Sequence, residues 1–187
     1  KMTKEFLCKR GSEWRKWDLQ IQPIKDEWFC DLDNKVVQIT NATREYLKKA
    51  IERKIATVAI TDHNCGASID AALELIENEK LNVTVLPGVE IDVLTGYQII
   101  VIFNPAYKEK ISKKTWKETV EHFLNNVCNL PSPVFNAAEV AESINGDIHD
   151  ILTRICKEDI GLVIFAHSQS EKGLFKKTTG ANRIKFF

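Results

Sequence analysis

An α/β fold on a parallel sheet is what this sequence predicts, and three observations predict it. Short β-rich runs alternate with longer helical patterns, the arrangement that builds βαβ units. Two apolar runs end abruptly in polar, histidine-bearing clusters, as strands do at the ligand-binding rim of α/β folds. Four or five strand–helix units fit into 187 residues around one core. An open doubly wound sheet and part of a (β/α) barrel both satisfy that count.

The elements follow in order. Strands are expected at Trp17 to Gln22, Thr57 to Thr61, Val83 to Val93 with a break at Pro87-Gly88, Tyr97 to Phe103, and Leu162 to Ala166. Asn41 is placed to cap a helix from Ala42 to Lys54, whose Tyr46-Leu47 and Ala50-Ile51 spacing makes one apolar face. Ala67 to Glu79 repeats that pattern, and a third helix covers Lys113 to Val127 until Pro131-Ser132-Pro133. Asn136 to Ser143 and Asp147 to Cys156 read as two more. The tail from Leu174 begins a further element that stops at Phe187 without a closing turn. Residues 1–187 are therefore expected to form one domain, and a fragment of a larger protein, with no repeat or glycine-serine linker dividing it.

Composition narrows the function. With twenty-six basic against twenty-six acidic side chains, the chain as a whole has no electrostatic pull on nucleic acid or anionic lipid, so nucleic-acid binding would have to come from a local patch. The lysines at 108–114 are interleaved with acidic residues and read as a solvated face. The longest apolar runs fall far short of the roughly 20 residues that cross a bilayer, which excludes a membrane partner through such a span. Five scattered cysteines without Cys-x-x-Cys spacing indicate neither a disulfide framework nor a zinc ribbon, and a reducing cytoplasm is the expected location. The opening Lys1-Met2-Thr3-Lys4 lacks a secretory apolar stretch, so the triplets beginning at Asn41 and Asn82 are not read as glycosylation sites.

Four places carry chemistry. The first strand alternates strictly, so Asp18, Gln20 and Gln22 share one face and Leu19 and Ile21 the other. That polar row is a site if both faces are covered and a solvated edge if they are not. The second strand ends in Thr61-Asp62-His63-Asn64 at its carboxyl end, where a lone histidine is as readily structural as functional. Glu90 is a carboxylate inside an apolar strand, costly to bury unless a cation or donor meets it. The last strand ends in Ala166-His167-Ser168. Imidazole and carboxylate are what zinc, manganese and iron sites use, which makes His63, Glu90 and His167 candidate metal ligands. His122 and His149 lie on predicted helices beside acidic residues and are read as solvated.

In combination, Arg10 to Pro23, Thr61-Asp62-His63-Asn64, Pro87-Gly88-Val89-Glu90, Tyr97-Gln98 before Ile99 to Phe103, and Ala166-His167-Ser168 with Lys172-Gly173-Leu174 resemble the PHP (polymerase and histidinol phosphatase) superfamily. They are most similar to the PHP domain at the amino terminus of large bacterial proteins that carry an SMC-like or ABC-type ATPase domain. The resemblance implies a distorted (β/α)7 barrel, here incomplete at its C-terminus, holding up to three zinc or manganese ions that activate water against phosphate esters. It implies catalytic roles for Asp62, His63, Glu90 and His167, metal ligation by His63, Glu90 and His167, and an ATPase domain as partner within the full-length protein.

The departures shape the expectation. The family's first motif is His-x-His, where this chain has Gln20-Ile21-Gln22, and histidine is common where it has Gln98. A glutamine amide is a neutral oxygen donor that cannot match imidazole for zinc or manganese. The reading is therefore a phosphoesterase-like domain with a degenerate site at Gln20, Gln22 and Gln98, holding no metal or weakly bound zinc or manganese, and serving a structural or regulatory role. A metal-dependent phosphoesterase or nuclease with a reduced site is the alternative, and a nucleic-acid-binding module that keeps the phosphate-binding rim without cutting is a third reading.

Overall fold

The computed structural model describes residues 15–93, 98–130, 143–144 and 147–166. Five strands form one sheet in chain order: β1 (Lys16–Ile21), β2 (Ile55–Ile60), β3 (Thr84–Asp92), β4 (Gln98–Phe103) and β5 (Gly161–Phe165). The helices are α1 (Val36–Glu52), α2 (Ala67–Glu79), α3 (Pro105–Lys110), α4 (Trp116–Asn126) and α5 (Ile148–Lys157), with a kinked 3-10 segment at Asp26–Asn34. The predicted helix at 136–143 and the tail from Leu174 fall outside the described residues, apart from residue 143.

The sheet is mixed, which corrects the parallel expectation. β1, β2 and β3 run parallel, whereas β4 is antiparallel to both β3 and β5. The reason is loop length. Only residues 93–97 separate β3 from β4, enough for a hairpin and far too few for the dozen or more residues of a parallel crossover. Among the described residues β1 and β5 are the sheet's two edges, so a closed (β/α)7 barrel is not present in this part of the chain.

The sheet is nevertheless curled. On one face Leu19, Ala59, Leu86, Ile100, Ile102, Ile164 and Ala166 pack together, a cluster drawing on all five strands. The alternate residues Val58, Ile60, Val89, Ile91, Ile99, Val101 and Phe103 face the opposite way and pack under the helices in the main core. Phe103 anchors that convex side, edge-on to Phe123 at 5.2 Å and tilted against Trp116 at 5.9 Å.

Four local expectations change. α1 begins at Val36, so Asn41 lies inside the helix and hydrogen-bonds Arg44 instead of capping. Pro87-Gly88 does not break β3; it is where the strand changes neighbours, pairing with β2 through Pro87 and with β4 from Gly88 onward. A side chain at Gly88 would put its Cβ 2.9 Å from both Thr61 Cγ2 and the Val101 carbonyl oxygen, so only glycine lets both neighbouring strands approach. The strict alternation of β1 fails, because its register slips between Asp18 and Ile21 and sends Leu19 to the concave cluster but Ile21 to the convex core. Finally, α3 was not foreseen; Asn104 caps it by accepting the Ala106 N–H at 3.0 Å.

Candidate functional site

The site is assembled where β1, β2 and β3 end. Beyond β2 the chain stays extended: the Thr61 N–H donates to the Ile21 carbonyl at 2.8 Å and the Glu90 N–H to the Asp62 carbonyl at 3.2 Å. The Asn64 N–H returns the bond to the Glu90 carbonyl at 3.1 Å, making His63 and Glu90 bridge partners. Asn64 then takes a φ of 48°, which asparagine tolerates better than most residues, and turns the chain toward α2.

Glu90 is 1% exposed. Alternation along β3 puts it on the concave face, opposite to its neighbours Val89 and Ile91. Gln20 donates its side-chain amide to Glu90 Oε2 at 2.8 Å. Gln22 donates to the same oxygen, and also to the Thr61 carbonyl at 3.3 Å. Two neutral amides thus meet the buried carboxylate from β1 and the residue just after it.

His63 and Asp92 stand beside this group. His63 Nδ1 lies 4.0 Å from Asp92 Oδ2, too long for a hydrogen bond, and this buried nitrogen has no other partner among the described residues. Asp92 was not singled out from the sequence. Its signal was there, because a residue two positions after Glu90 on a strand must share its face. Gln98 is 5% exposed and pairs with Asp92 across the β3–β4 ladder. It reaches the carboxyl rim of β3 because β4 is antiparallel: Gln98 begins its strand there. The Gln98 carbonyl accepts the Ala166 N–H at 3.0 Å, so the end of β5 arrives at the same rim. His167 lies outside the described residues.

Asp62 belongs to a different environment. It is fully buried, its Oδ1 accepts the Ile24 N–H at 2.9 Å, and its tie to Glu90 is through the backbone alone among the described residues. Burial pushes its pKa from 3.8 up to about 7, against the opposing pull of the neighbouring Ser68 hydroxyl and the Ile24 amide. Among the described residues neither Asp62 Oδ2 nor Ser68 Oγ makes a hydrogen bond of normal geometry, so the Ser68 influence is electrostatic proximity more than a formed bond. The same desolvation, with Asp62 adding to it, raises the Cys65 thiol to about 12, which makes it inert as a nucleophile.

Whether these residues fit a divalent ion is a question of donors. Among the described residues no three His, Cys, Asp or Glu side chains form a group able to hold one. At Glu90 Oε2, where a cation would be drawn, Gln20 and Gln22 present N–H donors. An amide N–H repels a cation, so the described set does not fit a zinc or manganese centre as it stands.

Comparisons with known proteins add a local sequence similarity and two distant likenesses of shape. No family model matches the chain. Over 74 residues it is 36% identical to the 5′-3′ exoribonuclease Rnm of Salmonella typhimurium, a stretch covering 36% of this chain and 25% of that protein. The chain thus spans about a quarter of the length of the curated relative it matches. A protein of Bifidobacterium adolescentis assigned as a metal-dependent phosphoesterase superposes with a TM-score of 0.49 at 13% identity, covering 93% of this chain and 74% of that one. An amidohydrolase of Chromobacterium violaceum, solved with sulfate and no metal, gives 0.32 at 15% identity over 76% of this chain and 50% of that one. At these values neither likeness bears on chemistry. Among the described residues no helix is long and apolar enough to cross a membrane.

Proposed function

We propose that this chain is a PHP-type phosphoesterase-like domain whose site is held by hydrogen bonds in place of metal, and which serves as a non-hydrolysing structural or regulatory module. The observation that carries the reading is the pair of glutamine amides converging on one oxygen of Glu90. A buried carboxylate needs compensation. In a metal centre the cation supplies it; here Gln20 and Gln22 do, and they keep the carboxylate satisfied without any ion. The local similarity to an exoribonuclease supports a descent from phosphodiester chemistry.

A second reading, a metal-dependent phosphodiesterase acting on RNA, is favoured by that same stretch of similarity. One experiment separates the two. Protein purified without chelator is analysed for zinc and manganese and then assayed on a generic phosphodiester and on 5′-labelled RNA with added manganese. The parent is expected to carry well under one equivalent and to release no product. The triple variant Gln20→His, Gln22→His, Gln98→His is expected to gain metal and, with it, melting temperature through linkage. Stoichiometric metal with turnover in the parent would overturn the non-hydrolysing reading.

A further inference from the structure

Outside the Glu90 group, the cleft between β1 and α1 is a place where the described residues set unpaired cations against an aromatic ring. Its volume is about 290 Å³, and its helix wall is Tyr46, Lys49 and Arg53 with Ala50 between them. Tyr46, Lys49 and Ala50 are positions i, i+3 and i+4 of α1 and Arg53 is its C-cap residue at i+7, so the ring and both cations line one side of the cleft. The strand wall includes Asp18, Gln20 and Gln22. The cleft therefore shares its polar wall with the two residues that hold Glu90.

The charges there are uncommitted. Arg44, one turn earlier, is taken by Glu79 at 2.6 Å, and Lys117 by Asp33 at 2.8 Å. Lys49 and Arg53 have no such partner among the described residues, and both are exposed. Two cations face a single carboxylate, Asp18, whose Oδ1 already accepts the Gln20 N–H at 3.2 Å. Tyr46 is 43% exposed, with a large aromatic surface left in water. Lys49 and Arg53 are separated by about 6 Å along the helix axis, comparable to the step between successive phosphates of an extended strand.

We infer that this cleft binds the backbone of single-stranded nucleic acid, with Lys49 and Arg53 on consecutive phosphates and Tyr46 stacked on a base. Aromatic rings beside paired cations are the means by which single strands are held without sequence readout. A duplex would bury its base faces and leave the ring nothing to stack on. This is the local patch that a chain of zero net charge requires if it is to bind nucleic acid at all. The inference deepens the proposed function by naming the ligand of a domain that does not cut it.

Binding is measured by fluorescence anisotropy with a short labelled oligouridylate, in EDTA, so that neither metal nor cleavage enters the readout. Failure here and failure of the non-hydrolysing reading are then separate results. The parent should bind, and bind the matching RNA duplex more weakly. The double variant Lys49→Ala, Arg53→Ala should bind about tenfold more weakly, with the slope of log affinity against log salt reduced by about 1.4. Tyr46→Ala should lose about tenfold and Tyr46→Phe should not, because stacking needs the ring and not the hydroxyl. Lys113→Ala with Lys114→Ala, on another surface, should leave binding unchanged. If the double alanine variant does not fold, as judged by circular dichroism, Lys49→Gln and Arg53→Gln singly carry the same expectation with half the change in slope. No binding by the parent, equal binding of duplex, full displacement by inorganic polyphosphate with Tyr46→Ala unaffected, or an unchanged salt slope in the charge variants would each overturn the assignment.

Discussion

Asp62 and Glu90 are two buried carboxylates on neighbouring strands, tied to each other through the backbone, yet they sit in opposite chemical settings. Asp62 is met on one oxygen by a main-chain N–H, near Ser68 and Cys65 at the start of α2, and pays for its burial with a pKa raised to about 7. Glu90 is turned to the concave side and receives two side-chain amides. The difference teaches that burial alone does not make a carboxylate a site. What distinguishes Glu90 is that its partners are replaceable side chains gathered from another strand, whereas Asp62 is locked to the backbone of the chain that folds over it.

The same contrast extends to the two faces of the sheet. The convex face is apolar and covered by helices, and the concave face has an apolar floor with a polar rim. Substitutions can break or sharpen the contrast. The largest effect is expected on the convex side: Phe123→Ala removes a fully buried ring from beside Phe103 and should cost about 3–5 kcal/mol in urea denaturation. A cost below about 1 kcal/mol would mean the convex core is looser than its burial implies.

On the rim, Gln20→Leu with Gln22→Leu strips both amides from Glu90 and should cost about 2 kcal/mol, the scale of a hydrogen bond to a charged group, since the two share one oxygen. Adding Glu90→Gln to that variant should recover stability, because no carboxylate is then left without its donors. No recovery would show that the glutamines act through packing.

The smallest effect concerns Asp62 and depends on pH. Its folded-state pKa is raised from 3.8 to about 7, so the folded protein holds this proton longer than the unfolded chain does. Its contribution to stability is therefore fully present below about pH 4 and is lost as pH rises toward about 7. Asp62→Asn should raise the melting temperature at pH 8, where the folded-state penalty is present, and leave it unchanged at pH 4. An equal gain at both pH values would locate the effect in packing instead of ionisation.

Much of this architecture was legible in local pattern. α2 and β4 lie where their periods put them, and α4 starts at a Thr115 capping box written within four residues. Local pattern misled where a neighbour intervened. Pro87-Gly88 looked like a break because proline lacks a ladder donor, yet the strand merely trades β2 for β4 there. Strict alternation in β1 missed a register slip that exists only against β2.

By itself, then, the sequence determined the five strands and most of the helices, together with the residue types at the candidate rim, because propensity, period and capping act over a few residues. The short connection after β3 already dictates that β4 turns back, but only the tertiary structure decided the register that sets Gln98 at the rim beside Asp92. It alone decided that Asp62 faces Ile24 while Glu90 faces Gln20 and Gln22, contacts spanning 38 to 70 positions of the chain. Asp70 on α2 likewise accepts the first N–H groups of α4 at 2.8 and 2.9 Å, a cap no local motif announces. Such bonds depend on which distant segments are packed together, and a one-dimensional pattern holds no record of that distance.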